Sequence, residues 1–200
     1  MKVGIISDSS SCLEYAPFKH NIKIARTSIC IDDYEYIDGL DINAHEFYKK
    51  IKSINSIPIT SAPTIGRILE KIEELKSEGC TDILYFPISF NLSDYGKNLS
   101  NVLNDLIIDT NIYVINSNLA CIMEGLLAKY AESLAEKNYS IEEIKTEKNI
   151  NEEKIKNLQE TYISLRFWTN SKYAEKMDMY GLTGLYNNGK ETAYQNVSNE

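Results

Sequence analysis

Short apolar runs alternate along the chain with amphipathic segments. Short apolar runs stand at residues 3–6, 83–86 and 112–115, and a polar loop begins within three residues after each of them. Between the runs, apolar side chains recur at steps of three and four, the spacing of a helix that buries one face. One such series is Ile65, Ile68, Leu69, Ile72 and Leu75. Repetition of strand, polar loop and helix predicts an α/β fold, with a parallel sheet flanked by helices.

Local signals place the boundaries of these elements. Helices are predicted at residues 43–52, 64–79, 95–108 and 119–136. Asn43 is a preferred N-cap residue, and Gly79 is suited to the left-handed position that ends a helix. Residues 22–31 are rich in β-branched side chains and predict one extended segment, which a turn separates from a further strand at residues 34–37.

The composition changes at residue 137, where Lys, Glu and Asn become dominant. Ser140 and Glu143 fit a capping box, and a thin apolar stripe predicts a helical connector on the surface. An Asn-Asn-Gly turn at residues 187–189 predicts a hairpin. We therefore divide the chain into a first α/β lobe at residues 1–160 and a reduced second α/β lobe at residues 161–200.

The charge balance restricts the classes of partner. The chain carries 21 Lys and Arg against 29 Asp and Glu, a net charge of −8, and a pI near 4.9. A net negative protein repels phosphate backbones and anionic lipid surfaces, so we expect no nucleic-acid partner. No apolar run reaches the roughly 18 residues of a membrane span, and the N-terminal residues do not resemble a secretory leader. We expect a cytoplasmic protein without a membrane span.

The cysteines and histidines argue against a metal centre. The four cysteines are scattered, and the chain has only two histidines, His20 and His45. Structural zinc requires clustered thiolates and imidazoles, so we interpret the cysteines as reduced interior thiols. Asp41 and His45 are spaced i, i+4, so with Glu46 they would share part of a helix surface, which we interpret as a charged surface and not as a metal site. We expect neither a metal nor a cofactor.

Four loops rich in hydroxyl and amide groups follow the predicted strands, at residues 7–11, 60–63, 89–93 and 116–118. Each stands near the start of a helix, so each is suited to a helix cap. Together, at one edge of a sheet, the same loops would form a rim of donors suited to an anion. Each loop taken singly fits a cap better, but the coincidence of four such loops favours binding. The candidate ligand-binding residues are Ser9, Thr60, Ser61, Ser89, Asn91, Ser93 and Ser117.

The sequence matches the motifs of known catalytic sites poorly. Asp8 follows the first strand, as a phosphoryl-accepting aspartate would, but Ser10 stands where a second aspartate is needed. The sequence contains no G-x-S-x-G elbow, phosphate-binding P-loop or dinucleotide-binding glycine motif. We therefore expect no catalytic residues and no enzyme, with a small phosphatase or hydrolase as a minor alternative.

The order of these motifs resembles the DegV family over about residues 1–160. Residues 7–11 (SDSSS) resemble its T-D-S-T-S opening, and residues 60–66 (TSAPTIG) resemble its T-S-Q-P-x-x-G loop. Three further segments are similar to family motifs: 38–48 (DGLDI, then EFY), 89–93 (SFNLS) and 116–120 (NSNLA).

The resemblance implies a bacterial fatty-acid-binding protein that holds one long-chain fatty acid between two α/β lobes. Some family members present the acyl carboxylate to a fatty acid kinase, which is the implied protein partner. The resemblance carries head-group roles to Thr60, Ser61 and Ser93. The second lobe is shorter here than in the family, and its basic and histidine residues have no counterpart.

Two apolar residues replace hydroxyl residues of the family pattern. Ile59 precedes the Thr-Ser pair, and Phe90 stands after Ser89. The loss of two donors predicts weak or absent binding of free fatty acid, or a preference for a less anionic lipid. The alternative is a DegV-like interaction or regulatory module without a ligand.

Residues 161–195 are strongly aromatic, with Phe167, Trp168, Tyr180 and Tyr186. Because aromatic residues are enriched in interface cores, this composition predicts self-association into a homo-oligomer. A small local core of the same residues is the competing interpretation.

Overall fold

The computed structural model describes residues 2–106 and 109–147, which form two sheets and five α-helices. The strands are β1 Val3–Asp8, β2 Lys23–Ala25, β3 Ser28–Ile31, β4 Tyr34–Ile37, β5 Ile59–Ser61, β6 Asp82–Phe86 and β7 Asn111–Val114. The helices are α1 Ala44–Ile51, α2 Ile65–Ser77, α3 Tyr95–Asp105, α4 Cys121–Glu136 and α5 Ile141–Glu147. Within these ranges, every helix is too short or too polar to cross a bilayer.

The main sheet is parallel, in the order β2-β1-β6-β7. Strand β6 is buried along its whole length, as expected for a central strand with helices on both faces. One core unites the sheet with α2 and α3 through Ile6, Ile72, Ile83 and Leu99. This arrangement confirms the predicted α/β fold with a parallel sheet flanked by helices.

The prediction of one extended segment at residues 22–31 is wrong. Strand β2 pairs in parallel with β1, whereas β3 belongs to a second, antiparallel sheet in the order β4-β3-β5. The chain breaks between them because its apolar residues serve different cores. Ala25 packs into the core of the parallel sheet, and Ile29 and Ile31 pack with Ile42 in a separate core beneath α1.

The second sheet also corrects the placement of the 60–63 loop. Thr60 and Ser61 lie in strand β5, opposite Ile29 and Ser28 of β3. They therefore do not follow a strand of the parallel sheet. Only three of the four polar loops lie at its carboxyl edge.

Helix boundaries follow the predicted caps closely. The Asn43 side chain accepts a hydrogen bond from the backbone N–H of Glu46, and the Glu46 carboxylate accepts one from the N–H of Asn43. Thr64 caps α2, and Gly79 closes that segment with a φ of +85°, a conformation that glycine adopts without strain. Helix α3 ends at Asp105 rather than at residue 108.

The connector after α4 is more deeply packed than its composition suggests. The predicted capping box between Ser140 and Glu143 is present. Ile141 and Ile144 are buried, so α5 is not a surface segment at these positions. The predicted hairpin, the second lobe and the aromatic residues at 161–195 lie outside the described residues and stay predictions.

Candidate functional site

Hydrogen bonds connect the three loops at the carboxyl edge of the parallel sheet. Asp8 Oδ2, at the end of β1, accepts from the backbone N–H of Ile88 after β6 at 3.1 Å. Phe90 N–H in that loop donates to Asn116 Oδ1, after β7, at 3.1 Å. The edge is therefore one connected polar region, as the shared direction of the strands predicts.

Three of the candidate serines are buried and already hold the loops in shape. Ser9 Oγ lies 2.9 Å from Thr27 Oγ1 and accepts from the Thr27 N–H. Ser89 Oγ accepts from the N–H two residues on, at 3.2 Å, and Ser117 Oγ does the same at 3.1 Å. The bonds of Ser89 and Ser117 are the local side-chain turns that Ser favours in loops, whereas Ser9 connects its loop to Thr27. For Ser9, Ser89 and Ser117 the geometry favours a structural role.

The other candidates face outward. Thr60, Ser61 and Asn91 are exposed, and Ser93 is half-buried with its Oγ accepting from the N–H of Tyr95 at 3.2 Å. Successive residues of a strand point to opposite faces of the sheet, so Thr60 and Ser61 present their hydroxyls on different sides. Of these two, Thr60 shares the face of Ile29, above α1, and Ser61 shares the face of Ser28.

Arg67 joins the Ser61 side of this sheet, and the sequence pattern does not reveal it. Its Nη1 donates to Ser28 Oγ at 2.8 Å and to the Arg26 carbonyl at 3.3 Å. Ser28 and Ser61 are directly opposite in an antiparallel pair, so the residue that Arg67 contacts is the cross-strand neighbour of Ser61 on the same face of the sheet. Within the described ranges, no carboxylate forms an ion pair with Arg67, whereas Arg26 pairs with Glu14. A cation beside a hydroxyl is suited to an anionic head group.

The two apolar departures from the family pattern have different environments. Ile59 is 67% exposed and stands on the Ser61 face of β5, so it places an apolar surface beside the hydroxyl. Phe90 packs over α3, where an added Cβ on Gly96 would lie 2.2 Å from its ring. Phe90 therefore covers a glycine of α3.

Asp8 is buried and fully engaged. The Tyr85 hydroxyl donates to Asp8 Oδ1 and lies 2.8 Å from the Tyr95 hydroxyl. Burial raises the pKa of the Asp8 carboxyl to about 7, although both of its hydrogen bonds lower it. With both oxygens occupied, Asp8 connects β1 to β6 and is not presented as a nucleophile.

A second buried acid, Glu124 of α4, lies behind the serine loop and was not predicted. Its carboxyl accepts from Ser7 Oγ at 3.1 Å and from Ser10 Oγ at 3.3 Å. Burial, and then the neighbouring Asp8 charge, raises its pKa to about 9. The helical period contained the signal, because position 124 shares a face with the buried residues Ala128 and Ala131.

The sequence matches a protein family and its members. A family model described as "Uncharacterised protein, DegV family" matches residues 2–164. A DegV domain-containing protein of Staphylococcus aureus is 32% identical over 146 residues, which are 72% of this chain and 50% of the relative. The chain thus spans about half the length of the curated relatives it matches.

Solved structures share the fold. DegV of Bacillus subtilis, described as a fatty acid binding protein, superimposes with a TM-score of 0.65 at 21% identity. That match covers 74% of this chain and 53% of the other. A fatty acid binding DegV family protein of Streptococcus agalactiae also gives 0.65 at 21% identity, covering 77% and 54%. At these identities the likeness establishes the fold.

Proposed function

The chain belongs to the DegV family, and on that premise we propose that it binds one long-chain fatty acid or a related lipid. Support comes from structural neighbours that are described as fatty-acid-binding proteins. The observation that carries the proposal for this chain is the hydrogen bond from Arg67 to Ser28, the residue directly opposite the exposed Ser61 on the neighbouring strand. The carboxyl edge adds the exposed amide of Asn91 and the half-buried Ser93.

The head group in this proposal lies on the Ser61 face of β5. The Arg67 guanidinium carries five N–H donors, and Nη1 uses its two on Ser28 and Arg26. The remaining donors and the Ser61 hydroxyl are suited to a carboxylate. Charge-assisted hydrogen bonds of this kind contribute about 1.5–3 kcal/mol each. Thr60 faces the other side of the sheet, so its contribution is smaller than the family resemblance implies.

The acyl chain supplies most of the binding free energy in this proposal. Each buried methylene contributes about 0.8 kcal/mol, so a sixteen-carbon chain contributes on the order of 12 kcal/mol before losses. The apolar cavity between β6, α4 and α5 has a volume of about 10 Å³. That is room for about one water molecule, so this cavity does not hold the acyl chain.

Replacing Arg67 by glutamine is expected to weaken palmitate binding by about ten- to one-hundredfold, because one charge-assisted contact is lost. Titration calorimetry of the whole chain measures this ratio. The matched control is Lys71→Gln, which removes one positive charge from the same helix, where Lys71 pairs with Glu74. We expect that variant to bind as the unmodified protein does.

Palmitate methyl ester separates the head group from the tail. The ester keeps the acyl chain and removes the negative charge, so Arg67→Gln should leave its affinity unchanged. An equal loss for the acid and the ester would place Arg67 in a structural role. If Arg67→Gln and the unmodified protein bind palmitate with equal affinity, the proposed head-group site is wrong.

We also infer that the bound acid is presented to a fatty acid kinase in the cytoplasm. The outward position of Ser61 and Asn91 supports this, since a partner must reach the carboxylate. Native mass spectrometry of the purified protein tests the first step. A stoichiometric lipid adduct supports ligand presentation, whereas a protein that stays empty with added palmitate favours the ligand-free module.

The self-association predicted for residues 161–195 is tested by light scattering at micromolar concentration, where a strictly monomeric mass would exclude it.

A further inference from the structure

Two cysteines that are far apart in the sequence meet at the N-terminal end of α4. Cys12 follows the short 3-10 turn Ser9–Ser11, and Cys121 is the first residue of α4. Ser11 and Leu13, on either side of Cys12, both lie against Gly125, and Cys121 stands one turn before Gly125 on the same face of α4. The Cys12 thiol donates to the Ser10 carbonyl oxygen at 3.5 Å, and each of the two thiols shifts the pKa of the other. Both residues are half-buried, so small solutes reach them.

The surroundings hold the two cysteines in this position. Ser10, two residues before Cys12, bonds to Glu124 of α4, three residues after Cys121. Gly125 lets α4 approach closely, since a Cβ there would lie 2.7 Å from the Ser11 carbonyl oxygen. The pair therefore lies on a rigid junction between the serine loop and α4.

Both cysteines also have an unusual backbone conformation. Cys12 and Cys121 each have a φ of +55°, in the left-handed region that few residues other than glycine adopt. Such conformations persist only where the surrounding structure imposes them. The left-handed backbone conformation of both cysteines indicates that the surrounding structure constrains the positions of the two residues.

We propose that Cys12 and Cys121 are a modification site, at which a hydroperoxide oxidises the two thiols to an intramolecular disulfide and a dithiol reductant restores them. The proposal does not depend on lipid binding. Its basis is the juxtaposition of two half-buried thiols where the serine loop packs on the first turns of α4.

The chemistry balances in two steps. The Cys121 thiolate attacks one oxygen of hydrogen peroxide, so that an S–O bond forms and the O–O bond breaks. The product is a sulfenic acid, and the departing hydroxide takes a proton from solvent to become water. The Cys12 sulfur then attacks the sulfenic sulfur, an S–S bond forms, and the released hydroxide takes the Cys12 proton. Two thiols lose two electrons, and the peroxide is reduced to two waters.

The electrostatics assign the order of these steps. Interaction with the Cys12 side chain lowers the pKa of the Cys121 thiol to about 7, although burial raises it. The same interaction raises the pKa of Cys12 far above its ordinary value, assisted by burial and by the Cys121, Glu124 and Asp38 charges. Cys121 is therefore the nucleophile and Cys12 the resolving thiol.

Peptide mapping tests the proposal on the whole chain. The reduced protein is treated with hydrogen peroxide, its free thiols are blocked with iodoacetamide, and it is digested with trypsin without reduction. We expect a linked peptide that joins residues 3–19 to residues 98–129, with the loss of two hydrogens. Dithiothreitol should return both peptides to their separate masses.

Three serine variants serve as controls. Cys30→Ser removes a half-buried thiol from strand β3 and should leave the linked peptide unchanged. Cys121→Ser should abolish the linkage and peroxide consumption, and Cys12→Ser should leave a sulfenic acid at Cys121 that dimedone traps. Before oxidation, iodoacetamide at pH 7 should alkylate Cys121 on the order of ten times faster than Cys12.

Either of two results would overturn the proposal. One is a peroxide-treated protein in which the two peptides stay separate while dimedone labels neither cysteine. The other is a peroxide-treated protein in which Cys121 is linked to Cys30 or Cys80 in place of Cys12.

Discussion

Replacing Glu124 by glutamine is expected to raise the free energy of unfolding in alkaline solution and to flatten its dependence on pH. Glu124 is fully buried in α4, where its carboxyl accepts from Ser7 and Ser10. Burial and the Asp8 charge raise its pKa to about 9, from 4.5 for an ordinary glutamate. The unfolded chain therefore releases this proton at a much lower pH than the folded protein does.

The sign of the effect follows from proton binding. Between about pH 4.5 and pH 9 the folded state holds a proton that the unfolded state has lost, so stability falls as the pH rises. The slope is about 1.4 kcal/mol per pH unit at most, or on the order of 4 kcal/mol between about pH 5 and pH 8. Glutamine has a similar shape and no proton to lose. The variant and the unmodified protein should be nearly equal near pH 5 and diverge above it.

Urea denaturation at a series of pH values measures both curves. Burial raises the pKa of Asp8 to about 7, so the free energy of unfolding falls over about pH 4–7 in both proteins. The difference between the curves therefore isolates Glu124. Glu136→Gln removes a carboxylate from the exposed last residue of the same helix, and its curve should run parallel to that of the unmodified protein. A parallel curve for Glu124→Gln as well would mean that this carboxyl is already ionised in the folded protein.

The sequence predicted the parallel sheet well because each of its elements carries a local signal. Strand β6 is a continuous apolar run, and α2 combines a Thr64 cap, a three-four apolar repeat and a terminal Gly79. The second sheet was harder to predict. Whether residues 23–31 form one strand or two depends on which core each residue enters, and composition does not contain that information.

The candidate site was only partly predictable for a similar reason. Ser89 and Ser117 serve as turn residues and Ser9 connects its loop to Thr27, and the same residue type would serve a ligand equally well. Arg67 joins the site only because Ser28 and Ser61 are opposite each other across two strands. A contact of that kind depends on strand register, which the positions of the residues along the chain do not determine.

Substituting alanine at Gly125 and at Gly66 is expected to change stability in opposite directions, although both glycines lie inside helices. Alanine is favoured over glycine in a helix by about 1 kcal/mol. At Gly66, in the exposed first turn of α2, the nearest atom to an added Cβ is Thr64 Oγ1 at 4.0 Å. Gly66→Ala should therefore raise the free energy of unfolding by a large part of that difference of about 1 kcal/mol.

At Gly125 the steric cost exceeds the helix preference. An added Cβ would lie 2.7 Å from the Ser11 carbonyl oxygen and 2.9 Å from Leu13 Cγ. The backbone there is hard to displace, because Ser11 is fully buried and its Oγ donates to the Asp8 carbonyl at 2.6 Å. Overpacking of this kind costs typically about 1–3 kcal/mol, so Gly125→Ala should unfold at a lower urea concentration than the unmodified protein.

The same substitution also tests whether close packing of α4 brings the two thiols together. If α4 moves away from the serine loop in Gly125→Ala, the linked peptide between Cys12 and Cys121 should form more slowly under peroxide, while Gly66→Ala should form it at the original rate. An equal gain in stability for both variants would mean that Gly125 has room for a side chain. In that case the rigidity of the junction would need another source, with the hydrogen bond between Ser10 and Glu124 as the remaining contact to test.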